Sequence, residues 1–141
     1  MAQAIRYSKK REAILQAIQS TDTHPSAEWV YQKLKADHPD LSLGTVYRNL
    51  VFFQKQGTIK SVGVINGQER FDPLTTPHSH FVCTRCSAVI DLLGLTLDQN
   101  LDKDVCNIYP CQVERHELTF FGLCSRCIQK AQEEEGKEQP V

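Results

Sequence analysis

The chain has 141 residues, with 16 Lys/Arg against 17 Asp/Glu and a formal net charge of −1. That length suits one domain or two small ones, and the lack of any apolar run of about 18 residues excludes a membrane-spanning helix. The N-terminus carries no apolar leader, so the six cysteines are expected to act as thiols or metal ligands in a reducing cytoplasm rather than as disulfides of an exported chain.

The charge is unevenly spread. Residues 1–62 carry nine Lys/Arg and five Asp/Glu, a balance of +4, and residues 63–141 carry seven and twelve, a balance of −5. A basic first half suits phosphate contacts, and an acidic second half suits cations.

In chain order, the first half reads as three helices and a hairpin. Ser8 is placed to cap a helix with Ile14, Leu15 and Ile18 on one face. The stretch Thr21 to Pro25 breaks it. Ser26 opens a second helix with Trp29, Val30 and Leu34 on its apolar side. His38-Pro39 ends that helix, because proline disfavours helix in the residue before it. Ser42 opens a third, with Val46, Leu50 and Phe53 inward, and Gly57 stops it. Ile59 to Ile65, the turn Asn66-Gly67 and Gln68 to Phe71 then predict a β-hairpin. This order describes a winged helix-turn-helix domain over residues 1–72.

Two prolines in Asp72–Pro77 mark a hinge over residues 73–77. Residues 78–141 are expected to form a second domain, read as strand, strand, helix, strand. Phe81-Val82 leads into a first Cys pair and Val89 to Leu93 is the next strand. Leu95 to Val105 is a short helix, and Gln112 to Leu123 is a long strand ending at a second Cys pair. A short helix follows Cys127, and the acidic run from Glu133 is expected to be frayed. The fold class is therefore α+β.

Cys83-x-x-Cys86 and Cys124-x-x-Cys127 have the spacing of a closed four-thiolate zinc site, because two intervening residues let both thiolates of a pair reach one ion. The alternative is a redox dithiol, which normally needs only one pair at a helix start. His78, His80, Asp91 and His116 lie between and beside the pairs as a harder ligand set. His78 and His80 alternate on an extended segment, so both face one side. Soft ligands for structure and nitrogen/oxygen ligands for sensing suggest a metal-responsive protein.

Several segments together resemble the ferric uptake regulator family of bacterial metal-dependent repressors. They are His24-Pro25-Ser26-Ala27-Glu28, Thr45-Val46-Tyr47-Arg48-Asn49-Leu50, Arg70-Phe71-Asp72, His78-Ser79-His80-Phe81-Val82-Cys83 and the second C-x-x-C. Within the family the chain looks most like the peroxide-sensing branch. That resemblance implies a regulatory Fe2+ or Mn2+ site, which Zn2+ can occupy in vitro, made by His24, Asp72, His78, His80 and Asp91. It implies that His24 and His78 are oxidised when the iron form meets hydrogen peroxide. Iron-sensing members more often have Glu at the positions of Asp72 and Asp91. Arg48 stands where iron sensors often have Arg and peroxide sensors often have Asn, so the alternative is an iron-responsive repressor without histidine oxidation.

The resemblance further implies a homodimer joined through the second domain and a palindromic double-stranded DNA operator. The third helix would enter the major groove with Thr45, Tyr47, Arg48 and Asn49 on its polar side, and Lys60 would meet phosphate along with Lys9, Lys10 and Arg11. His116 could join a further metal site with Glu117 or with residues near His80. Cys106 and Cys111, outside the paired frame, read as buried small apolar residues or as a thiol switch. No enzyme activity is expected. A metal hydrolase would need an evident general base, and a thiol–disulfide oxidoreductase would need a thioredoxin-like strand–helix setting around a pair.

Overall fold

Serine caps start all three helices of the first half. A computed structural model of the chain describes residues 8–96 and 100–138. Helix α1 spans Lys9–Gln19, α2 Ala27–Leu34 and α3 Leu43–Lys55. Ser8, Ser26 and Ser42 each accept an N–H three residues on, from Arg11, Trp29 and Thr45 respectively. Each cap satisfies an amide that the first helical turn leaves without a partner. Gly57, at φ 74, ends α3 in the left-handed conformation that glycine adopts most easily.

The hairpin follows as β1, Lys60–Ile65, and β2, Gln68–Asp72. Asn66 and Gly67 both have positive φ, 52 and 79, which is the two-residue turn that matches strand twist. A bulge at Val62 shifts the register between Ser61 and Gly63. Ile14, Ile18, Val30, Val46, Leu50 and Phe71 are at most 2% exposed and form the centre of the first core. Phe71 does a second job: its N–H donates to the Pro25 carbonyl at 3.0 Å. That bond ties the end of β2 to the residue before the α2 cap.

The chain divides into two compact units between Thr76 and Pro77. The second contains β3 (Ser79–Cys83), β4 (Val89–Leu92), α4 (Asn100–Ile108), β5 (Thr119–Gly122) and α5 (Ser125–Glu138). Its sheet runs β4-β3-β5, with β3 antiparallel to β4 and parallel to β5. Among the described residues, the buried cluster of this unit is three cysteines, 83, 124 and 127, with Phe81 and Ala88 against them. Phe120, Phe121, Leu101, Val105, Ile108 and Tyr109 are exposed. Among the described residues no helix is long and apolar enough to cross a membrane.

Three expectations for this unit need correction. The strand expected over Gln112–Leu123 is only Thr119–Gly122. Its partner β3 offers four register positions, His80 to Cys83, and a strand extends only where a neighbour can pair with it. The helix expected over Leu95–Val105 runs instead over Asn100–Ile108. Leu95 and Thr96 are not helical, residues 97–99 lie outside the described residues, and the far end reaches the residue before Tyr109-Pro110. The acidic tail continues as helix to Glu138. Glu, Gln, Lys and Ala favour helix, and Glu134 accepts from Arg85 at 2.7 Å, tying α5 to the first Cys pair.

Candidate metal centres

The four paired cysteines converge because β3 and β5 run parallel. β3 ends at Cys83, opposite Gly122 of β5. The chain leaving β5 therefore brings Cys124 beside Cys83, and Cys127 follows in the first turn of α5. On the other side the chain turns back after Cys83, with Ser87 at φ 63 and its N–H on the Cys83 carbonyl at 2.9 Å. This turn brings Cys86 to the same point. All four sulfurs lie within 4.8 Å of one another.

The spacing suits zinc. Sulfurs held about 2.3 Å from a tetrahedral ion sit about 3.8 Å apart, whereas a disulfide needs about 2.05 Å. Cys86 and Cys124 sulfurs are 3.7 Å apart. The local backbone also favours the thiolate form. N–H groups of Cys86 and Cys124 point at the Cys83 sulfur at 3.5 and 3.4 Å and bring its thiol down to about 6. The Cys127 amide lowers Cys124 in the same way. Burial first, and then the neighbouring sulfurs, push Cys127 up to about 12. A cation shared by all four sulfurs removes that last cost. Thiolates leave no open ligand position, so the site suits structure and not chemistry.

A second donor set lies in the first unit. His24 has φ 56, uncommon for a residue other than glycine. The Arg70 guanidinium donates to the carbonyls of Thr23 and His24, and the Phe71–Pro25 bond fixes the next residues. Asp72 is thereby carried to His24: His24 Nε2 lies 3.2 Å from Asp72 Oδ2. The other Asp72 oxygen accepts the Leu74 N–H at 2.9 Å, which orients the carboxylate. Both side chains are buried, at 2% exposure.

A third set lies in the second unit, at the end of β3 opposite Cys83. His80 stands across from Asp91 in the β3–β4 register. His78 precedes His80 by two, and the rings are 4.4 Å apart. His78 Nε2 and His80 Nε2 both approach Asp91 Oδ1, at 2.8 and 3.1 Å. Ligands about 2.1 Å from an ion and at right angles lie about 3.0 Å apart. The separations in both sets match that value, and imidazole with carboxylate suits Fe2+, Mn2+ or Zn2+. Thus the structure brings His24 to Asp72 in one unit, and His78 and His80 to Asp91 in the other.

His116 has a partner that the sequence did not suggest. Its Nδ1 lies 2.6 Å from Asp102 Oδ1 of α4, rather than beside Glu117. The only signal in the sequence was an acidic residue on a helix fourteen positions back, which is too general to select it.

On α3, Tyr47 and Arg48 are exposed and Thr45 is half-buried. Arg48 donates to the Thr45 hydroxyl at 3.0 Å. Tyr47 donates to Glu28 of α2 at 2.6 Å, a bond that holds its hydroxyl above the usual range. Asn49 points inward. It is 9% exposed, donates to the Thr45 carbonyl at 2.9 Å and accepts from Arg11 Nε at 2.9 Å. Its four-residue step from Thr45 puts it on the packed face, where it holds Arg11 over the Phe52 ring at 3.9 Å. Lys60 opens β1 and is half-buried.

The ferric uptake regulator family, as a sequence model, matches residues 2–121. The peroxide-responsive repressor PerR of Staphylococcus saprophyticus is 32% identical over 126 residues, covering 89% of this chain and 84% of the relative. The peroxide operon regulator of Bacillus subtilis is 30% identical over 126 residues, covering 89% and 86%. Among solved structures, the ferric uptake regulator of Vibrio cholerae aligns at TM-score 0.63 and 29% identity, covering 84% of this chain and 92% of that one.

Proposed function

We propose that this chain, which belongs to the ferric uptake regulator family, is a metal-dependent DNA-binding transcriptional repressor that senses hydrogen peroxide. The observation that carries the reading is the pair of donor sets. His24 and Asp72 lie in one unit and His78, His80 and Asp91 in the other, and the His and Asp donor atoms within each set lie 2.8–3.2 Å apart, close enough to share an ion. One ion taken up by both sets would fix the angle between the units. Metal and DNA would then favour the same arrangement, and each would raise the affinity of the other by the same factor.

When bound, Fe2+ supplies the reductive cleavage of hydrogen peroxide beside the ligand imidazoles, and Mn2+ supports repression without it. His24 and His78 are the groups that gain oxygen. An oxidised ring no longer presents the same basic Nε2 to the ion or to its aspartate, so the two sets part and DNA affinity falls. Similarity to the two peroxide regulators supports this reading. Arg48, exposed on α3, favours the second reading, an iron-responsive repressor without histidine oxidation.

In the DNA complex α3 lies in the major groove. Arg48 reads a guanine edge, Tyr47 and Thr45 contact thymine methyl or phosphate, and Lys60 meets the backbone. Asn49 contributes by holding Arg11, since its own polar atoms are engaged within the helices. The protein acts as a homodimer on a palindromic operator, and the exposed apolar side chains of α4 and β5 are the surface offered for pairing. Mass spectrometry of the iron-loaded protein after peroxide tests the sensing step. A one-oxygen gain on the peptide bearing His24 or His78 is the expected result. No gain on either, with DNA binding retained, selects the iron-responsive reading.

A further inference from the structure

Two cysteines stand outside the four-sulfur cluster. Cys106 lies in the last turn of α4, and Cys111 follows Pro110 on the way to β5. Tyr109 still donates to the Val105 carbonyl at 2.9 Å. Pro110 then ends the helix, and the chain turns so that residue 111 meets residue 106. The two sulfurs are 3.9 Å apart. Cys106 is half-buried, but Cys111 is exposed. The expectation of two buried small apolar residues therefore fails for Cys111, because a solvent-open side chain has little packing to contribute. Metal binding does not account for the pair either. Among the described residues, neither sulfur belongs to a cluster of three or more His, Cys, Asp or Glu ligand atoms.

We propose that Cys106 and Cys111 form a second redox site, a metal-independent dithiol that closes to an intrachain disulfide when hydrogen peroxide persists. The sulfurs need to approach by about 2 Å to reach the bond length of about 2.05 Å, a shift within the range of side-chain rotation in an exposed turn. The Cys111 sulfur, once deprotonated, attacks one peroxide oxygen. The O–O bond breaks, the departing hydroxide takes up the thiol proton as water, and Cys111 is left as a sulfenic acid. The Cys106 sulfur then attacks the Cys111 sulfur. The S–O bond breaks, and the hydroxide leaves with the Cys106 proton as a second water. Two thiols lose two electrons, and one peroxide gains them.

Partial desolvation where its sulfur faces the protein, and then the contact with Cys106, hold the Cys111 thiol above its ordinary range. Few thiolates are therefore present near neutrality, and the pair answers sustained rather than brief exposure. Closure joins the end of α4 to the segment feeding β5. It holds the intervening Ile108 and Tyr109, 86% and 67% exposed, in one tight loop.

The test uses the full zinc-loaded chain with manganese in place of iron, exposed to hydrogen peroxide, alkylated without reduction and mapped by mass spectrometry. Expected is a reductant-reversible Cys106–Cys111 linked peptide with zinc content unchanged. Hydrogen exchange over residues 104–118 should slow by roughly tenfold, and both changes should be absent in C111S. Full alkylation of both cysteines after prolonged peroxide would overturn the proposal. So would a covalent dimer through Cys111, or closure found only together with zinc loss.

Discussion

The two units are held together by different physics. Among the described residues, the first buries eleven apolar side chains in one cluster, and its helix caps and hairpin turn all agree with local preference. Among the described residues, the second buries only Val82, Val89 and three cysteines as apolar side chains, and leaves Phe120, Phe121, Ile108 and Tyr109 exposed. A small unit with so little apolar burial needs another source of stability. Four sulfurs spaced for zinc can supply it once the ion is bound. One chain thus joins a unit packed around apolar side chains to a unit organised around four sulfurs. His–Asp donor pairs occur in both units.

Metal removal should separate the two units most clearly. A structural zinc site contributes on the order of 10 kcal/mol, more than the second unit's core can replace. Stripping zinc with a strong chelator, or Cys83→Ser, should abolish the thermal transition of the second unit and leave that of the first. A single transition lost as a whole would show that the units do not fold independently. The converse change is Leu50→Ala, in the first core. It should cost about 2–5 kcal/mol of the first transition in denaturant, with zinc content unaltered.

Smaller effects sharpen the roles on α3. Arg48→Ala should change base preference at one operator position by about 1–3 kcal/mol. Asn49→Ala should weaken binding evenly across operator sequences, because it releases Arg11 and leaves the base-reading side chains in place. Competition binding with single-base operator variants separates the two patterns. The smallest effect is expected from Glu134→Ala. The Arg85–Glu134 pair is exposed, and such pairs contribute little. Zinc retention and melting should stay within error, with only the end of α5 exchanging amide hydrogens faster.

Much of the first unit was legible because its signals are local. Ser8, Ser26 and Ser42 cap what they precede, and Asn66-Gly67 turns where it stands. The C-x-x-C pairs announced their convergence through a ligand rule that spans the chain. What was not legible depends on neighbours far along the sequence. β5 begins only at Thr119 because β3 offers it only four register positions, a fact absent from residues 112–118. The tail continues as helix to Glu138 through residues whose acidic run alone reads as frayed. His116 meets Asp102 only after α4 has been placed. Asn49 looks polar and outward on a helical wheel, yet Arg11 and the Thr45 carbonyl turn it inward. The meeting of His24 with Asp72 rests on the Phe71–Pro25 backbone bond and on Arg70 reaching the Thr23 and His24 carbonyls, contacts that no spacing rule contains.

The most direct test is operator binding by the iron-loaded and manganese-loaded forms, before and after brief peroxide exposure. Both forms should bind at the outset. Peroxide should release the iron form alone, in step with a one-oxygen gain on His24 or His78. Retention of DNA by both forms, or equal release of both with neither histidine oxidised, would contradict the account.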